Sequence, residues 1–201
     1  MRTMITVFHL ACGRAPGEAD STPARRAQLA LAALFASLVM SALWGVAAGS
    51  AVPSLALMNL YKLPLIVVLA GIGAVPAGLL AWKLSGAETR ARELLYGYAL
   101  SMFLGTMVMV VLSPLVALYY HSSASVGPVV AVGSVLLAIV AGTITFVRNV
   151  RRTMSAERPA GPIAASVVLV GAFAASLWQL VAVLAPILPE HTLFSGGIDA
   201  L

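Results

Sequence analysis

Charge is scarce in this chain. Asp, Glu, Lys and Arg make up 9% of its 201 residues, against about 25% in an ordinary soluble domain. A globule in water needs a charged exterior, and so few charges cannot make one. Cysteine is nearly absent as well. A lone Cys12 excludes an intramolecular disulfide and any metal centre built from several thiolates. Also missing is any ionisable side chain deep inside the long apolar runs. Ion-coupled and proton-coupled carriers usually place Asp, Glu, His, Lys or Arg at that depth. The sequence holds no nucleophile–base pair, phosphate-cradling glycine loop or zinc-protease motif.

What remains is hydrophobic. Apolar residues reach 61% and the mean hydropathy is +1.00. That composition predicts an all-α fold, an integral membrane bundle in contact with the lipid bilayer. The net charge of +5 would suit nucleic acid, but the basic residues flank apolar runs, as orientation signals do. Neither a nucleic-acid partner nor a cofactor is expected. The residues before Cys12 have the outline of a lipoprotein signal, yet the run is too short and His9 interrupts it.

Five runs are long enough to cross roughly 30 Å of hydrocarbon at about 1.5 Å per residue. They are residues 27–50, 63–84, 94–120, 128–146 and 163–188, and together 27–188 form the membrane domain. Residues 1–26 hold Pro16, Gly17 and Pro23 and no sustained apolar face, so a flexible segment is expected. Small residues Ala47-Ala48-Gly49 would suit signal cleavage, but the first run is long for that purpose and an uncut anchor is expected. Residues 51–62 read as a short interfacial connection, with Pro64 in the first turn of the second span and Pro76 bending it. Residues 189–201 form a short tail.

The basic residues orient these spans. Residues 147–158 carry Arg148, Arg151, Arg152 and Arg158 between two apolar runs. Basic loops stay on the cytoplasmic side. Placing them there puts the N-terminus inside and the C-terminus outside. Arg2, Arg14, Arg25, Arg26, Lys83, Arg90 and Arg92 then fall on the same side, and only Lys62 falls outside. These cations serve topology and are available to a partner or to lipid headgroups. A bacterial cytoplasmic membrane is the expected location.

Helices in lipid associate where small residues let their backbones approach, and through polar pairs. Small residues four apart share one helix face. The candidate packing stripes are Ser41, Gly45 and Gly49 in the first span and Gly97, Ser101 and Gly105 in the third. Ala138 and Gly142 supply the fourth, and Gly171, Ala175 and Gln179 the fifth. All are expected to face the bundle interior. Gln179 is the deepest strongly polar side chain and is expected to clasp a neighbouring helix. No metal centre is expected, though His121, Glu190 and His191 are the weak candidates for one on the outer side.

Two short motifs add a resemblance. Tyr61-Lys62-Leu63-Pro64-Leu65, and Trp178-Gln179-Leu180 followed by Pro186, resemble a group of uncharacterised bacterial multi-pass membrane proteins with a Yip1-like five-span layout. The chain departs from that group at Ala185, where the resemblance implies an arginine, and at Ile187-Leu188-Pro189 in place of Phe-Ile-Gly. The resemblance implies the layout and no mechanism.

The first functional expectation is a non-catalytic integral membrane subunit or scaffold that packs with a partner membrane protein or with itself. The second is a small permease or channel for neutral or apolar solutes, with Pro76, Pro114 and Gln179 around a cavity. The third is an outer-face membrane enzyme using His121, Glu190 and His191.

Overall fold

The computed structural model describes residues 2–14, 17, 20, 22–84, 91–123, 125–152 and 160–189. Their regular structure is helical throughout: α1 (Arg2–Ala11), α2 (Pro23–Ala48), α3 (Pro53–Leu84), α4 (Ala91–Ser122), α5 (Val126–Arg152) and α6 (Ala160–Leu184). Five of them, α2 to α6, are long and apolar enough to cross a membrane.

Local chemistry sets the ends. Thr22 takes the extended N-cap conformation of α2, its hydroxyl accepts the Arg25 N–H at 3.4 Å, and Pro23 opens the helix without losing a hydrogen bond. Gly49 closes α2, its N–H bonding back to the Gly45 carbonyl. Pro53 then begins α3 almost at once. The Ser123 hydroxyl accepts the Val126 N–H at 3.4 Å where α5 starts.

The long helices run alternately up and down. One buried cluster joins Trp82 near the end of α3, Leu94 near the start of α4, Phe146 and Val150 late in α5, and Ala165 and Leu169 early in α6. Another gathers the opposite ends, with Trp44 and Ala48 of α2, Leu63 of α3, Val116 of α4 and Ala131 of α5. A cross-helix bond fixes this second end: the Trp44 indole N–H donates to the Ser134 hydroxyl at 2.9 Å.

Small residues bring two helix pairs into backbone contact and seat a side chain of α6 against the backbone of α3. A Cβ on Gly45 would lie 2.7 Å from the Asn59 carbonyl oxygen, and one on Gly49 2.7 Å from the Ala56 nitrogen, so α2 and α3 nearly touch there. Between α4 and α5 the approach is reciprocal. A Cβ on Gly105 would lie 3.0 Å from the Ala138 oxygen, and one on Gly142 3.1 Å from the Ser101 oxygen. Against α6, the Leu169 side chain fills the space above Gly78 of α3.

Three expectations need correction. Residues 2–11 form a helix rather than a flexible segment, because Val7, Leu10 and Ala11 make a short apolar stripe that is buried on Leu29, Ala33 and Ala99. Residues 53–62 continue α3 rather than forming a connection, so Pro64 and Pro76 both lie inside the helix. The membrane supplies no water to compete for backbone groups, which keeps a helix intact past a proline. At the other extreme, α6 stops at Leu184, before Pro186. Residues 185–189 leave the helix and bury Ile187 and Leu188 against the cluster around Trp44 and Leu63.

Candidate functional site: an outward helix face and an apolar chamber

The fifth stripe does not face the bundle. Gly171, Ala175 and Gln179 are all exposed, and a Cβ on Gly171 would meet nothing within 4 Å. The four-residue spacing is present on more than one side of α6, because the helix is rich in Ala and Gly. What selects the inward side is shape. Leu169 inserts over Gly78, and the Ser176 hydroxyl oxygen would lie 3.2 Å from a Cβ on Gly73. Gln179 is therefore not the interior clasp expected of it. It has no hydrogen-bond partner among the described residues. Only 6% of the apolar stretch of α6 is buried within the chain, against 28–44% for the other four.

The other packing stripes do line helix contacts. Ser41, Gly45 and Gly49 are buried, with the two glycines set against α3. Gly97 faces Phe146 and Asn149, and Ser101 and Gly105 meet Ala138 and Gly142.

Behind α6 lies a chamber of about 380 Å³. Its walls come from every long helix, and α5 lines it from Ala131 to Phe146, roughly 22 Å at about 1.5 Å per residue. No charged side chain lines it. Its hydroxyls are mostly turned back on their own helices. Ser101 donates to the Tyr98 carbonyl at 2.7 Å, Thr106 to Met102 at 2.9 Å and Thr143 to Ile139 at 2.7 Å. Only the Tyr98 hydroxyl lacks a partner among the described residues. Such a space does not hold water. Leu136 of α5 and Trp178 of α6 both line it and are exposed, so its mouth opens sideways between those helices. Pro76, Pro114 and Gln179, expected around a cavity, line none of it.

One end of the chamber is closed by the segment after α6. Buried Asn59 donates from Nδ2 to the Ile187 carbonyl at 2.7 Å and to the Gly45 carbonyl at 3.2 Å. Lys62 donates to the Pro186 carbonyl at 3.2 Å. Sequence reasoning passed over Asn59 because it lay in a supposed connection. The signal was there: Leu55, Asn59, Leu63 and Ile66 fall on one helical face, and all are buried.

Apart from Lys62, the described arginines and lysines gather at the opposite end. Arg25 pairs with Asp20 at 3.6 Å, and Arg26 forms a salt bridge with Glu93. Arg92 lies 3.5 Å from the same carboxylate. Arg148 and Arg152 serve α1: they donate to the Ala11 carbonyl at 3.3 Å and the Gly13 carbonyl at 2.6 Å. The Ala11 carbonyl is one of those left open at a helix C-terminus, and Gly13 lies just past it, where a cation is favoured. Gly13 has φ +100, and a Cβ there would strike the Arg148 guanidinium. Arg151 and Lys83 are exposed. Arg90 and Arg158 lie outside the described residues.

Of the metal candidates, His121 sits exposed near the end of α4, while Glu190 and His191 lie outside the described residues. Among the described residues no three His, Cys, Asp or Glu side chains come together. Comparison with family models, curated proteins and solved structures finds no match to this chain.

Proposed function

We infer that this chain is a non-catalytic integral membrane subunit or scaffold that assembles, through the outer face of α6, with a partner membrane protein or a second copy of itself. The observation that carries this reading is the exposure of Gly171, Ala175 and Gln179 on a helix that buries so little of itself. Lipid tails make no use of a glycine and offer nothing to a carboxamide. A second helix uses both, because small residues admit its backbone and a polar side chain answers the amide. The gathering of basic residues at one end supports a cytoplasmic N-terminus and an outer C-terminus in a bacterial inner membrane. The Yip1-like five-span layout accords with this reading.

Purification of the full chain in mild detergent tests it. A complex or homo-oligomer is expected, and Gly171→Leu should dissociate it while leaving the monomer folded, since open space surrounds that position. A monomer without any companion, from the native chain, counts against the proposal.

A second reading, a permease for neutral or apolar solutes, is favoured by the chamber and its apolar lining. Unchanged uptake of apolar solutes in a strain lacking the chain would dismiss it.

A further inference from the structure

A second hollow, of about 580 Å³, lies on α4 between α2 and α3. Those two helices press together at Gly45 and Gly49. Farther along, toward the basic end, they leave a trough between them. Leu34 and Leu38 form one wall, Val68 and Ile72 the other, and Ala99 and Met102 the floor. Leu34 and Ile72 are exposed, so the trough opens to the surrounding hydrocarbon.

Its basic end has a different chemistry. Arg26, Arg92, Glu93 and Tyr96 line it. Arg26 gives one guanidinium N–H to Glu93, and its Cζ lies 5.8 Å from the centre of the Tyr96 ring. The Arg26 Nε and the Tyr96 hydroxyl are buried and have no hydrogen-bond partner among the described residues. Arg92 reaches the other Glu93 oxygen at 3.5 Å but stays about half exposed. Two guanidinium groups face one carboxylate, leaving net positive charge. An anionic headgroup answers that charge.

We propose that this trough binds one anionic phospholipid. Its phosphate lies against the half-exposed Arg92 guanidinium at the basic end, and one acyl chain lies between the walls. The dimensions suit that occupant. From Arg26 to Leu38 is roughly 18 Å along α2 at about 1.5 Å per residue, comparable to half of the roughly 30 Å hydrocarbon core. A partner's apolar helix would fill the trough but leave the positive charge at its end unanswered. This site is separate from the α6 face, and its fate is independent of that reading.

Native mass spectrometry of the full chain in mild detergent, titrated with phosphatidylglycerol or phosphatidylcholine, tests the proposal. One phosphatidylglycerol per chain should be retained about tenfold more tightly than phosphatidylcholine, the scale of one charge-assisted contact. Arg92→Gln should erode that preference, and it leaves Glu93 its Arg26 partner. Leu38→Trp, which fills the trough, should weaken both lipids. Arg151→Gln removes an exposed charge that lines no part of the trough, and should change nothing. Equal retention of the two lipids by the native chain would overturn the proposal. So would a loss in Arg151→Gln as large as in Arg92→Gln, which would mark unspecific attraction to a basic surface.

Discussion

Asn59 and Gly45 form a joint in which each limits what the other position tolerates. The Asn59 amide donates to the Gly45 carbonyl, and the Asn59 carbonyl occupies the space a Gly45 side chain would need. Asn59→Ala removes the buried donor to the Ile187 carbonyl, while the Gly45 carbonyl keeps the Gly49 N–H. It should destabilise the protein by about 1–3 kcal/mol. Hydrogen exchange at residues 187 and 188 should accelerate in the same variant, since Asn59 holds that segment down. Two glycine substitutions should move stability in opposite directions. Gly45→Ala forces α2 away from α3 and should cost about 1–3 kcal/mol. Gly133→Ala meets nothing within 4 Å and should gain about 0.5–1 kcal/mol from the better helix former. Unfolding titrations in mixed micelles would measure both. The sequence marked Gly45 clearly, through its spacing to Gly49, but its carbonyl's partner was hidden, because hydrogen-bond geometry across helices leaves no periodic trace.

At the scale of elements, apolar length announced α2 to α6, and the side each helix buries was harder to read. The small-residue rows of α2, α4 and α5 meet partners. The row in α6 does not, although its spacing is the same. Spacing tells which residues share a face; it does not tell which face finds a complementary knob, such as Leu169 above Gly78. The helix α1 escaped notice for a related reason. Ten residues bury only Val7, Leu10 and Ala11 among the apolar ones, too few turns for a periodic signal. Its hold on the bundle also depends on distant cations. Replacing Arg148 and Arg152 together by Gln should release α1, seen as faster amide exchange across residues 2–11, while exchange in α4 stays slow. Unchanged protection of α1 would mean that its apolar stripe suffices to hold it.

For the whole molecule, the distribution of charge is the most legible feature. Arg26, Arg92, Arg148 and Arg152 share one end of the bundle, and Lys62 sits at the other by Pro186. Under the proposed orientation the exposed Cys12 lies in the cytoplasm. A membrane-impermeant maleimide should therefore leave intact cells unlabelled and react only after lysis. Labelling of intact cells would reverse the orientation and assign the basic end to the outer leaflet. The two hollows were beyond sequence reasoning. Each arises where neighbouring helices fail to meet, and a gap is a property of crossing angles rather than of any residue.

The docking of α1 also carries a timetable. The carbonyls of Ala11 and Gly13 wait for arginines that lie 137 and 139 positions downstream. During translation the N-terminal helix therefore emerges long before its clasp exists, and it acquires that clasp only once α5 has left the ribosome and entered the bilayer. A nascent chain arrested within α4 should expose α1 to protease, and one arrested well beyond residue 152 should shield it.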